Sequence, residues 1–179
     1  MQPHRIRARL QTLLDGLDYD FSRFTLDGFK DWLERRRGRP IVFVPRAMPA
    51  TLFGAWVQGI DADYVFFEQD TPLIHQAHNQ LHELAHMICG HPTVVVGPQQ
   101  VGALLRHAGS ITDPTLFVES LLLRSAHSDE HELEAETLTA LIQERVLQHA
   151  RLDALWQGIS TERAVGDHFT AYLKGMAQL

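Results

Sequence analysis

The 179-residue chain contains a single cysteine, Cys89. One thiol excludes an intramolecular disulfide and any cysteine-built zinc framework, and it points to a reducing compartment, the cytoplasm. Long apolar runs are missing too. None approaches the roughly 20 residues that a membrane helix requires. The opening Met1-Gln2-Pro3-His4-Arg5 does not lead into the apolar stretch of a secretory signal. Basic residues are outnumbered, 16 against 22 acidic, for a net charge of −6. Direct binding to nucleic acid or membrane is therefore not expected. Internal repeats and low-complexity tracts are absent. Two common enzyme signatures fail as well. Val94-Val95-Val96-Gly97 and Gly102 imitate the start of a phosphate-binding loop, but Ala103-Leu104 stand where Lys-Ser/Thr is required. No G-x-S-x-G serine elbow occurs.

What is present suits one soluble domain over residues 1–179. The chain is 45% hydrophobic, enough for a core without covalent staples. Its charge is uneven: residues 1–40 balance at +3 and residues 41–179 at −9. A basic arm meeting an acidic partner is one explanation; Arg35-Arg36-Arg37 closing a helix, where cations suit the dipole, is the simpler one.

Pattern predicts N-terminal helices over 4–16 and 25–37, the second stopped by Gly38 and Pro40. A strand is expected at Ile41–Val44. Leu52 to Gln58 and Tyr64 to Glu68 read as a hairpin turning at residues 59–63. A long helix should run from Pro72 to Gly90. Short helices are expected after Pro98 and Pro114. Asp129 with Glu132 resembles a capping box opening a helix over 130–149, and Val165, Phe169, Tyr172 and Met176 suggest a last helix. The catalytic core would be 41–149, flanked by helices in 1–40 and 150–179. The expected class is α+β, a short antiparallel sheet packed on helices.

Eleven histidines stand out in a chain of this length. Two lie in His82-Glu83-Leu84-Ala85-His86, the H-E-x-x-H pattern, within the long predicted helix. Positions i and i+4 share a helix face, so two imidazoles there can grip one Zn²⁺. The intervening glutamate points aside, toward a water on the metal. His82 and His86 are the expected ligands and Glu83 the general base. His75 and His78 fall near the same face and are expected to pack, line a cleft or support the ligands. Cys89, one turn past His86, is expected to be a plain thiol.

A catalytic zinc takes a third protein ligand. Residues 129–136 offer Glu130, Glu132, Glu134 and Glu136 on one helix. Ala135, Leu138, Leu141, Ile142 and Val146 mark its buried face, and Glu134 shares that direction while Glu132 and Glu136 point outward. A carboxylate on a buried face is costly unless paired or metal-bound. Glu134 is therefore the expected third ligand, with Glu130 and Glu119 in reserve. His127 or His131 is a candidate donor to a developing oxyanion.

With these residues in place, the chain resembles the ImmA/IrrE family of bacterial metallopeptidases. The likeness runs over roughly residues 40–145, from the hairpin Trp56–Phe67 through the zinc motif to Glu132-Leu133-Glu134-Ala135. The family pattern is H-E-[LF]-[GA]-H after a hairpin, then E-x-E-A-x-x-F-A; here Leu138-Thr139 replace Phe-Ala. The resemblance implies a small zincin-like (gluzincin) fold, His82, His86 and Glu134 on zinc, and Glu83 as base. It also implies cleavage of a partner regulator, usually a helix-turn-helix repressor, in phage, mobile-element or stress control. The connection from His86 to Glu134 is long, and its proline-containing insert is a candidate lid. The family's frequent fused helix-turn-helix domain is missing, so the regulator would be a separate protein.

The expected activity is thus zinc-dependent endopeptidase cleavage of a protein substrate. Strand Tyr64 to Glu68, if a free sheet edge, would hold that substrate by β-addition. Two other classes compete: a non-catalytic metal-binding module that sequesters its partner, and a DNA-binding regulator using the basic N-terminal helices.

Overall fold

The structure, a computed structural model, describes residues 3–48, 52–106, 127–157 and 166. Helix α1 (Pro3–Asp15) leads through a 3₁₀ turn at Phe21–Arg23 to α2 (Leu26–Arg37). Thr25 caps α2, its hydroxyl accepting from the Gly28 N–H, and Gly38 ends it in the left-handed region at φ 67°. Strands β1 (Ile41–Arg46), β2 (Gly54–Gln58) and β3 (Asp63–Glu68) precede α3 (Leu73–Cys89). Then come the short β4 (Val94–Val95), α4 (Pro98–Arg106) and the long α5 (Asp129–Gln157). The predicted elements after Pro114 and around Phe169 lie outside the described residues.

The four-stranded sheet has the order β1-β3-β2-β4. β2 and β3 form the expected antiparallel hairpin, with Trp56 opposite Val65. β1 runs parallel to β3, and β4 parallel to β2. The sheet is therefore mixed, not antiparallel. β3 lies at its centre and is not the free edge the sequence suggested. Its near-continuous apolar run explains this: Tyr64, Val65, Phe66 and Phe67 are all buried, as a strand covered on both faces requires.

Alternation divides the core. Trp56 and Val65 face a cluster with Leu10, Phe29, Leu81, Leu84, Leu138 and Ile142, where α1, α2, α3 and α5 meet. Ala55, Val57, Tyr64 and Phe66 face the other way, onto Val101 and Leu104 of α4. Each fully buried leucine or phenylalanine contributes about 1.5–3 kcal/mol. The main cluster therefore holds α3 firmly between the sheet and α5. α5 is longer than expected and opens differently. Ser128, not Asp129, precedes its first turn and accepts from the His131 N–H at 3.3 Å.

Candidate metal centre

α3 runs uninterrupted because no glycine or proline falls inside it. It stops at Gly90, whose positive φ of 73° lets its N–H reach the His86 and Met87 carbonyls. His82 and His86 stand one turn apart with their Nε2 atoms 3.0 Å from each other. Glu132 of α5 reaches across to them. Its Oε2 lies 3.1 Å from His82 Nε2 and its Oε1 lies 3.7 Å from His86 Nε2. The ligand atoms of these three residues lie within 4.8 Å of one another, which makes the group a candidate metal site.

Glu132 thus occupies the place expected of Glu134. Glu134 does point inward, with 8% of its surface exposed, but inward on α5 leads to the helix packing and to α1. There it pairs with Arg9, and its Oε2 lies 3.1 Å from His91 Nε2. His82, with 18% of its side chain exposed, instead reaches the flank of the α3–α5 seam beside Glu132, which keeps 46% of its side chain exposed, while His86 stays buried behind them. Glu130 is exposed and belongs to neither acid–histidine group. Glu119 lies outside the described residues.

Glu83 is buried beside the sheet, and the Trp56 backbone N–H donates to it. Burial raises its pKa to about 7, against the opposing pull of His82. Gly54 makes room for it: a Cβ there would stand 2.6 Å from Glu83 Oε1. An open cleft of about 200 Å³ lies over these groups, lined by Phe53, Gly54, His78, Asn79, His82, Glu83 and Glu136. β4 covers β2 only at Val57 and Gln58. Among the described residues, Gly54 and Ala55 therefore form a sheet edge beside Glu83 with no strand against it.

The charges suit a cation. Glu132 is held far below the usual carboxylate range, first by its hydrogen bond with His82 and then by the adjacent His86 ring. Burial lowers His82, but the Glu132 hydrogen bond and the charges of Glu83, Glu132 and Glu136 together outweigh it and raise its pKa. Burial lowers His86. His78 Nε2 lies 3.4 Å from Glu136 in the cleft wall, whereas His75 is exposed.

His127 and His131 do not line the cleft. His127 stacks on His86, centroids 3.8 Å apart, and His131 stacks on His91 at 4.3 Å. Burial, then repulsion from His86, pushes His127 down to about 4, so its ring is neutral at neutral pH. Cys89 forms a second group with His91 and Glu134. Burial, then Glu134, pushes its thiol up to about 12.

Sequence reasoning passed over Glu132, His91 and Arg9. One signal was available for His91: a glycine that ends a helix in the left-handed region turns the next residue back over the final turn. Comparison with protein-family models, curated proteins and solved structures returned no match.

Proposed function

We propose that the chain is a zinc-dependent endopeptidase that cleaves a partner protein, with His82, His86 and Glu132 as metal ligands and Glu83 as general base. The observation that carries this reading is the convergence of two imidazole Nε2 atoms and one ionised carboxylate beside a buried glutamate, with His82 and Glu83 lining an open cleft. Two nitrogens and one oxygen suit zinc and leave a coordination position free. When bound, zinc supplies a Lewis acid that acidifies water and polarises a carbonyl.

The protein's own groups do the rest. Glu83, with its pKa near 7, takes a proton at its carboxylate and returns it to the leaving amine near neutral pH. The Trp56 N–H keeps that carboxylate beside the sheet edge. An extended substrate laid along Gly54 and Ala55 would pass directly over it. The resemblance to ImmA/IrrE peptidases makes a separate helix-turn-helix regulator the first substrate to test.

The test compares wild-type protein with Glu83→Gln and Glu132→Gln. Metal analysis should find one zinc in wild type and in Glu83→Gln, and at least a hundredfold weaker binding in Glu132→Gln. Mass spectrometry of new N-termini, after incubation with a bacterial proteome, should show products with wild type alone. Identical products from Glu83→Gln would sink the mechanism. Metal binding with no product from any form, but equal capture of a regulator by wild type and Glu83→Gln, would establish the sequestering module instead.

A further inference from the structure

Behind His86, on the side away from Glu132, lies a chain of largely buried polar groups. His86 Nδ1 lies 2.9 Å from His91 Nδ1. His91 Nε2 lies 3.1 Å from Glu134 Oε2, and the other Glu134 oxygen is paired with Arg9. His86, His91 and Glu134 expose 1%, 6% and 8% of their surface, so the two inner contacts are shielded from solvent, while Arg9 at the outer end is half exposed. The two histidine rings of the chain stand at 68° to each other, and each has a ring stacked on it, His127 on His86 and His131 on His91.

With both imidazoles neutral, donor and acceptor rules leave one arrangement of protons. Glu134, ionised in its pair with Arg9, can only accept, so His91 Nε2 must carry a hydrogen and donate to it. A neutral His91 then has a bare Nδ1 and can only accept there. His86 Nδ1, facing it, must therefore carry a hydrogen and donate. A neutral His86 protonated at Nδ1 has its lone pair on Nε2, the atom that faces His82 and Glu132.

We infer that His91 is a positioning residue for the metal centre: backed by Glu134 and Arg9, it sets the tautomer and ring orientation of His86 so that Nε2 is presented to the metal. The inference rests on the zinc reading above and extends it to three residues that touch neither metal nor substrate. It also gives Glu134 a role other than ligation. Outer partners of this kind fix a ligand's orientation and raise its basicity, and losing one typically weakens metal binding 10- to 100-fold.

The experiment uses full-length, ¹⁵N-labelled protein. Long-range ¹H–¹⁵N spectra of the metal-free chain should show His86 protonated at Nδ1 and His91 at Nε2. Protonation of His86 at Nε2, or of His91 at Nδ1, overturns the inference whether or not zinc ever binds. His91→Phe keeps a flat ring against His131 but loses both nitrogens. Zinc affinity should fall 10- to 100-fold, and His86 should become a mixture of tautomers. Unchanged affinity and an unchanged His86 spectrum overturn the proposal. Glu134→Gln retains an acceptor for His91, so the tautomers should persist and affinity should fall less than in His91→Phe. This variant keeps the test open should His91→Phe fail to fold. Cobalt(II) titration should end at one equivalent with no thiolate-to-metal band. Two equivalents with such a band would make Cys89, His91 and Glu134 ligands of a second ion and end the proposal. A wild-type protein that takes up no zinc defeats the peptidase reading, while the metal-free spectra still decide the role of His91.

Discussion

A carboxylate buried against a sheet edge has a cost that depends on pH. Glu83 has a folded pKa near 7 against an ordinary 4.5. Below pH 4.5 it is protonated in both states and its ionisation does not affect stability. Between 4.5 and 7 the unfolded chain releases the proton while the folded chain keeps it, so stability falls as pH rises. Above 7 the whole deficit remains, about 3 kcal/mol by this shift. Glu83→Gln should therefore stabilise the metal-free protein more at pH 8 than at pH 5, read by urea denaturation at both. Equal gains at the two pH values would mean that Glu83 is not held protonated by burial. Gly54→Ala probes the same carboxylate from the other side, because the added methyl would stand 2.6 Å from Glu83 Oε1. On the proposed mechanism it should cut turnover at least tenfold and leave zinc affinity within about twofold, since displacing the base would remove proton transfer and not a ligand. At this scale the His82-Glu83-His86 group was legible because its spacing is a property of one helix. The choice between Glu132 and Glu134 was not. It depends on how α5 rolls against α3, and the helical wheel locates the buried side of α5 but not the flank that His82 reaches.

The elements show why the relay depends on where α3 ends. Gly90 holds the left-handed turn that brings the His91 N–H onto the His86 carbonyl at 3.1 Å and its ring onto the His86 ring. Nothing lies within 4 Å of a Cβ at Gly90, so a substitution meets no clash and acts through the backbone alone. Gly90→Ala should cost about 1 kcal/mol in a denaturant titration. If the turn relaxes, it should also weaken zinc binding by swinging His91 away. Full zinc affinity despite lost stability would show that His91 finds its place without the cap. The Gly90 stop was readable from the sequence, and so was the β2–β3 hairpin, since both are marked by local residue types. The sheet order was not. β1 pairs with β3 across the intervening β2, and short-range pattern cannot distinguish that parallel pairing from a meander. Placing the substrate on β3 failed for this reason: the strand beside the helix in sequence is the central one, and the edge beside Glu83 belongs to β2.

Across the molecule, part of the charge asymmetry is met within the chain. Arg7 and Arg9 of α1 pair with Glu144 and Glu134 of α5, Arg145 of α5 pairs with Asp15, and Arg37 pairs with the buried Asp63. Arg7, Arg9 and Arg37 of the basic N-terminal segment therefore meet acidic partners on their own fold. These pairs do not by themselves hold α5 in place. Arg7 and Glu144 are both about half exposed, and such a pair contributes about 0–1 kcal/mol. The stronger connection is the one a metal would make, because His82 and His86 lie on α3, Glu132 lies on α5, and Glu134, two residues on, reaches Arg9 of α1. An ion that binds only the folded arrangement stabilises it by mass action, about 2.7 kcal/mol at a free concentration 100 times its dissociation constant. For a chain of this size that corresponds to a shift of roughly 5–10 °C in the unfolding midpoint. Removing zinc with a chelator should lower the midpoint of wild type by that amount, and Glu83→Gln should show the same drop because its ligands are intact. Glu132→Gln should already unfold near the metal-free midpoint and respond little to chelation. A chelator that shifts all three proteins equally would mean that the ion sits elsewhere and that α5 contributes no ligand. A chelator that shifts none would mean that packing alone joins α3 to α5 and that the acid–histidine group is a hydrogen-bonded cluster without a metal.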